Sequence, residues 1–279
     1  MAQTREPEDK YIDLGGVRLH CLDWGGTSTR PLVLLHGITG NAHSWDLFAR
    51  SVCDEFRVYA LDQRGHGLSA HAEDGYSLKN FVSDLANFVD ATRIVPFDLV
   101  GLSLGARNAM GFAGLYSPTL RHLVLVDMAP EMDREGARNV RRRVGSAPTS
   151  FSSPEKALSY LKENNPRAND ELLQIDVQHR FKRDEQGRLV YRHDPRLFEI
   201  TGPAALEEIP YLWGMLTQIN CPTLVVRGVE SDILSPQLAA RMINLIPNSM
   251  LVEVEQSGHP VPLDNPKAFE AVVSDFLAS

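Results

Sequence analysis

The chain is short of cysteine, of long apolar runs and of positive charge, and each shortage closes off a class of answer. Only three of its 279 residues are cysteine. Cys21, Cys53 and Cys221 are scattered, odd in number and form no CxxC pair, which argues against a disulfide framework, a zinc site or any other metal cluster. No run of about 18 apolar residues occurs, so neither a transmembrane helix nor a membrane partner is expected. Met1 to Lys10 is polar and charged, with no apolar stretch of the kind a secretory leader needs, and a cytoplasmic location is the default expectation. The formal net charge of -8 argues against a general nucleic-acid partner. No G-x-G-x-x-G opens a helix and no G-x-x-x-x-G-K-S/T occurs, so nothing in the sequence calls for a flavin, nicotinamide or other cofactor. Internal repeats and low-complexity segments are also lacking.

What is present is an ordinary globular composition, 43% hydrophobic and 23% charged. The length suits one large α/β domain with an insertion. Tyr11 to Leu14 and Val17 to Trp24, around Gly15-Gly16, read as a hairpin. The apolar runs Pro31 to His36, Phe56 to Leu61, Phe97 to Leu102 and His122 to Val126 read as strands buried on both faces. Helical stretches separate them: Ala42 to Cys53, Leu78 to Ala91 with its one-sided apolar spacing, and Leu104 to Tyr116. Strand–helix alternation means a parallel sheet with right-handed crossovers. It resumes with a strand at Cys221 to Arg227, a helix at Pro236 to Leu245, a strand at Ser249 to Val254 and a closing helix at Pro266 to Leu277. From Glu131 to about Leu206 the alternation breaks. This charged stretch has helical candidates at Pro154 to Lys162 and Asp170 to Arg180 and a turn at Asp184 to Arg188. It reads as a helical cap folded over the carboxyl ends of the strands, where open α/β sheets place ligands. The expected division is a core of residues 1–131 and 207–279 and a cap of residues 132–206.

The chemistry centres on Gly101-Leu-Ser-Leu-Gly105, at the join of a strand and a helix. A serine in so tight a turn needs small neighbours two residues before and after it, because Cβ atoms there would collide with the adjoining strand and helix. The Ser103 hydroxyl would then stand at a helix N-terminus, where free N–H groups favour developing negative charge. Acyl transfer by serine needs a histidine base, an acid that orients it and N–H donors for the oxyanion as well. His259 and Asp232 each follow a strand end, as Ser103 does, and in a parallel sheet such loops emerge at one edge. Asp127, just past the strand that precedes the insertion, is a second candidate for the acid.

The chain resembles an α/β-hydrolase of the lid-bearing esterase type. The resemblance rests on His36-Gly37, Asp62-Gln-Arg-Gly-His-Gly67 with Ser69, Gly101-Leu-Ser-Leu-Gly105, Arg227-Gly-Val-Glu-Ser-Asp232 and Gly258-His259, in that order. It implies a mostly parallel sheet flanked by helices, with Ser103 as nucleophile, His259 as base, Asp232 as acid and the insertion as cap. It also implies an oxyanion hole made by the backbone N–H groups of Ile38 and Leu104. Asp232 is the expected acid because it sits in the commoner family context, with Asp127 as the alternative. At subfamily level, His36 to Asn41, Asp62 to Ser69 and Ser103 to Asn108 are similar to the corresponding segments of 2-(acetamidomethylene)succinate hydrolase, an amidase. A serine at position 103 sets the chain apart from the dehalogenases and epoxide hydrolases of this fold, which use a carboxylate there.

The resulting expectation is a carboxylic-ester hydrolase working on a small molecule through an acyl-enzyme. Hydrolysis of an amide or a carbon–carbon bond in a carboxylated substrate is the alternative, and a slow-turnover ligand receptor on the same triad is a further one. Gly37, His43, Trp45, Arg107 and Met128 are the expected pocket residues. His36 and His66 are read as structural. Arg107, or the face shared by Arg138, Arg141 and Arg142, would meet a substrate carboxylate if it looked into the pocket; a local acid partner or a solvated face is the plainer reading. A homodimer is left open.

Overall fold

A computed structural model describes residues 5–202 and 206–279. Residues 1–4, which fall in the polar N-terminal stretch, and residues 203–205, at the expected end of the cap, lie outside the described residues. The chain opens with β1 (Glu8–Asp13), β2 (Arg18–Asp23) and β3 (Pro31–Leu35), then α1 (Asp46–Val52) and β4 (Arg57–Asp62). It continues through α2 (Leu78–Thr92), β5 (Phe97–Leu102), α3 (Leu104–Tyr116) and β6 (Leu120–Val126). A long excursion follows: α4 (Arg134–Ser146), β7 (Ser150–Phe151), α5 (Pro154–Asn164), α6 (Asp170–Arg180), β8 (Phe181–Arg183), β9 (Leu189–Tyr191), a 3₁₀ segment at Pro195–Thr201 and α7 (Ile209–Leu216). The chain then closes with β10 (Thr223–Gly228), α8 (Pro236–Leu245), β11 (Ser249–Val254), the short α9 (Val261–Asp264) and α10 (Pro266–Leu277).

Eight strands form one sheet in the order β1-β2-β4-β3-β5-β6-β10-β11. The β1–β2 and β2–β4 pairs are antiparallel and the other pairs are parallel. Side chains alternate across a strand, so a strand covered on both faces is apolar throughout. Val33, Leu35, Leu99, Leu123, Leu125 and Val225 therefore join one buried layer, under α2, α3, α7 and α8. Leu32, Leu34, Val100, Val124, Val126, Leu224 and Val226 join the other, against Trp45, Phe48, Phe269 and Val273.

Local signals fix the helix ends. The Ser77 side chain accepts the Asn80 N–H at the start of α2, and Arg93 stops that helix in a left-handed conformation, φ 54°. Ser153 before α5 and Ser235 before α8 cap in the same way, each followed by a proline at the first helical position.

The excursion between β6 and β10 is not wholly helical, contrary to the sequence reading. Strands β7, β9 and β8 form a separate antiparallel sheet. Its hairpin turn is the Asp184–Arg188 stretch, closed by the Asp184 N–H to the Arg188 carbonyl and by Gly187 at φ 76°. Phe151, Ala157, Leu161, Leu173, Phe181 and Leu189 give the excursion its own small core.

Candidate active site

Ser103 stands between β5 and α3 at φ 55°, ψ -115°, a backbone strain that needs support from both sides. The Ser103 N–H donates to the Val126 carbonyl at 3.0 Å, and its carbonyl accepts the Arg107 N–H at 2.9 Å. The flanking glycines are obligatory. A Cβ on Gly101 would lie 2.4 Å from the Gly105 carbonyl oxygen, and one on Gly105 would lie 2.2 Å from the Leu35 carbonyl oxygen.

The Ser103 hydroxyl meets His259 Nε2 at 2.9 Å, and His259 Nδ1 meets Asp127 Oδ2 at 2.8 Å. Asp127 is fully buried and itself adopts a left-handed backbone, φ 49°. Its Oδ1 accepts the Gly228 N–H at 3.0 Å, and its Oδ2 also accepts the Ser231 hydroxyl. With Nδ1–H committed to a carboxylate, Nε2 is left as the acceptor that faces the serine.

Asp232, the acid favoured by sequence, is elsewhere. Its side chain is partly exposed, and its Oδ2 accepts Asn139 Nδ2 at 2.9 Å and Arg143 at 2.8 Å, both from α4. Gly136 of α4 approaches so closely that a Cβ there would lie 2.3 Å from the Asp232 carbonyl oxygen. Asp232 therefore fastens the excursion to the sheet, and the acid beside His259 is Asp127. The physical reason is reach: Asp127 is the first residue past β6, while Asp232 lies four residues past β10 on a loop turned toward α4.

The Ile38 amide is aimed by the opposite end of its peptide unit. The Gly37 carbonyl is held by His36 Nδ1 at 2.7 Å and by the Gly40 N–H at 3.0 Å. In a trans peptide the N–H points the other way, away from those anchors. Gly37 lies directly on the serine, where a Cβ would sit 3.3 Å from Ser103 Cβ. Leu104 begins α3, and the first N–H groups of a helix have no intrahelical acceptor. Leu104 thus follows the serine directly, and Ile38 follows the glycine packed against it.

The Asp62–Ser69 motif is the scaffold behind that loop. Asp62 accepts the Ala42 N–H at 2.6 Å and the Leu68 N–H at 2.8 Å, and meets His20 Nδ1 at 2.7 Å. His66 Nε2 bonds the Ile38 carbonyl at 2.7 Å. Gln63 links its backbone N–H to His36 Nε2 at 3.1 Å, its side chain to the His36 carbonyl at 2.7 Å, and accepts Asn108 Nδ2 at 2.7 Å. Burial, with His66 beside it, holds the His36 pKa down to about 3, so the ring stays neutral with its proton on Nδ1. Burial lowers His66 as well, leaving one donated hydrogen bond, the one to Ile38 being the shorter of its two contacts. For His20, burial opposes the charge, but Asp62 and Asp9 outweigh it and the pKa is raised.

Of the expected pocket residues, Gly37 touches Ser103. His43 bonds Asp46 at 3.0 Å and stacks on His179 of α6, ring centres 3.4 Å apart, at the seam between core and excursion. Trp45 is no pocket residue: it is buried in the core against Phe48 and Phe269, because the turn at Ala42–Trp45 directs it into the sheet's covered face. Met128 is likewise packed in the other core layer. Arg107 is buried and ion-paired to Glu208, whose other oxygen accepts the Leu78 N–H at 3.1 Å. Arg138, Arg141 and Arg142 are exposed on α4, so the basic face looks to solvent.

Sequence reasoning missed Ser231, which has no motif beyond its place before Asp232. It also missed Arg180 and the row of rings Phe151, Phe181, Tyr191, His193 and Phe198, successive centres 4.8 to 5.5 Å apart. The rings sit on the short strands β7, β8 and β9 and on the segment after them, where no periodicity marks them.

The site thus holds a serine on a strained strand–helix turn and a histidine paired with a buried carboxylate. Residues 32–272 match the model of the Alpha/beta hydrolase family. The chain belongs to that family. It is 26% identical, over 96% of its length and 94% of the relative's, to 2-(acetamidomethylene)succinate hydrolase of Mesorhizobium japonicum. A crystal structure of E-2-(acetamidomethylene)succinate hydrolase superposes with a TM-score of 0.89 at 25% identity, covering 98% of this chain and all of the other. An esterase of Mycobacterium tuberculosis is 29% identical over 97% of this chain and 89% of its own. Among the described residues no helix is long and apolar enough to cross a membrane.

Proposed function

We propose that this hydrolase cleaves carboxylic esters of small molecules through an acyl-enzyme, with Ser103 as nucleophile, His259 as base and Asp127 as the orienting acid. The observation that carries the reading is the Ser103–His259–Asp127 relay, 2.9 and 2.8 Å. His259 Nε2 takes the Ser103 proton as Oγ attacks the carbonyl carbon. The Ile38 and Leu104 N–H groups receive the negative oxygen. His259 then hands the proton to the departing alcohol, and a water, deprotonated by the same Nε2, releases the acid. The fixed amides matter because they are oriented before charge develops. Ser103→Ala should abolish turnover of a short p-nitrophenyl ester while circular dichroism stays native; turnover that survives the substitution refutes the reading.

A carboxylated substrate with an amide at the scissile bond is the second reading. One relative's name points to such a compound. The supporting observation is Arg180, at the end of α6 beside the His43–His179 stack, ion-paired to Asp176 and with its Nε–H buried without a hydrogen-bond partner. Its charge is felt at His36 behind the oxyanion loop and at Tyr160, Tyr191 and His193 in the excursion. If this reading holds, Arg180→Gln lowers kcat/KM for a succinate monoester and leaves a neutral butyrate ester unchanged.

A further inference from the structure

We propose that Ser231 is a positioning residue of the triad: its hydroxyl fixes the Asp127 carboxylate and sets how strongly that carboxylate holds the His259 imidazolium. The inference rests on the reading of Ser103, His259 and Asp127 as a working triad and adds a residue to it.

The hydroxyl of Ser231 has no freedom in which way to point its proton. Its oxygen accepts the Ile233 N–H at 3.1 Å and the Leu234 N–H at 3.2 Å. A serine oxygen has two acceptor sites, so both are used and the proton is left for Asp127 Oδ2. That is the same oxygen that receives His259 Nδ1–H. Asp127 is fully buried, so no bulk water shares it. Its acceptor capacity is divided among three protein donors, the Gly228 N–H, the Ser231 O–H and the His259 N–H. Each donor withdraws charge from the carboxylate, so the Ser231 bond competes with the bond to histidine. It also stops the carboxylate from rotating out of the plane that His259 needs.

The other charged groups around the pair are already accounted for. Asp264 of α9 accepts the Gly258 N–H at 2.8 Å, next to the histidine, and burial raises its pKa. Glu230 is paired with Arg167 and Asp232 with Arg143. Arg227 turns away to Glu253 and to the Leu234 carbonyl. His36, beside Gly37, stays neutral. None of these pairs includes the Ser231 hydroxyl.

The test is a pH titration of the full chain by two readouts. One is the low-field proton resonance of His259 Nδ1–H, assigned by its loss in Asp127→Asn; the other is the acidic limb of kcat/KM on a p-nitrophenyl ester. In Ser231→Ala the carboxylate keeps more charge for the imidazolium, so both midpoints should rise by about half to one pH unit. Ser231→Thr should restore them, and Ser231→Cys, a weak donor, should fall between. Asp232→Asn, which alters the same loop without touching Asp127, should leave both midpoints in place. Midpoints that do not move in Ser231→Ala and Ser231→Cys, or that move equally in Asp232→Asn, overturn the proposal. A moved resonance in a chain with no ester turnover leaves the proposal standing and removes the ester reading; active enzyme with fixed midpoints does the reverse.

Discussion

Exchanging each candidate acid for its amide separates the two aspartates at positions 127 and 232. In Asp127→Asn the side chain keeps its shape but gains an NH2 in a place built from donors. Oδ1 faces the Gly228 N–H and Oδ2 faces His259 Nδ1–H and the Ser231 O–H. Either orientation of the amide sets its NH2 against a donor. If it meets His259, the ring must shift its proton to Nε2, and Nε2 then cannot accept from Ser103. A base held in the wrong tautomer costs about 10³- to 10⁴-fold in kcat, or roughly 4 to 5.5 kcal/mol of transition-state stabilisation. Asp232→Asn removes the charge from a partly exposed latch to Asn139 and to the half-exposed Arg143. Its cost falls on folding, about 1 kcal/mol or less for an exposed ion pair, and kcat stays near wild type. The assay is kcat for a p-nitrophenyl ester alongside thermal unfolding of each variant. A collapse of kcat in Asp232→Asn, with Asp127→Asn retaining activity, would refute the assignment.

Three further outcomes follow from other parts of the molecule. Gly105→Ala places a methyl against the Leu35 backbone oxygen, which cannot retreat without shifting β3, so thermal unfolding should show a loss of about 3 kcal/mol or more. Glu208→Ala leaves the buried Arg107 guanidinium without its counter-charge and should destabilise by about 3 kcal/mol, whereas Arg107→Met combined with Glu208→Gln should recover most of it; equal losses in single and double variants would count against a buried pair. His20 has a raised pKa, so the stability it contributes is full below its unfolded value of about 6.5 and is lost as pH rises through the folded value. The gap in melting temperature between wild type and His20→Asn should therefore be wider at pH 5.5 than at pH 9, and a gap independent of pH would contradict the Asp9–His20–Asp62 cluster as described.

The core was legible because it obeys two periodicities. Strands such as Pro31–Leu35 are apolar at every position since both faces are covered, and α2 carries Leu78, Phe81, Val82, Leu85, Phe88 and Val89 on one side. The serine turn was legible because only glycine fits at 101 and 105. The excursion was harder. Its strands β7, β8 and β9 are two or three residues long, too short for an alternation to show, and α4 has a basic exterior that masks Val140, one of its few inward residues. Trp45 was misjudged because proximity in sequence to the Gly37–Asn41 loop does not say which way a one-turn helix throws its side chain.

Why the acid was ambiguous in sequence follows from the register of the sheet. Strands β5, β6, β10 and β11 are consecutive neighbours, and Leu102, Val126, Val226 and Val252 lie level across them. Ser103, Asp127, the Ser231–Asp232 loop and His259 therefore all rise from one edge, and an acid after β6 or after β10 lies between the serine and the histidine in the strand order. What decides between them is the path of the loop past the strand. Asp127 is held down at once, its N–H bonded to the Val226 carbonyl at 2.8 Å and its backbone turned left-handed. The β10 loop instead spends Ser231 on that carboxylate and turns Asp232 outward to α4. On this loop Ser231 meets the Asp127 carboxylate, and Asp232 holds the excursion through Asn139 and Arg143.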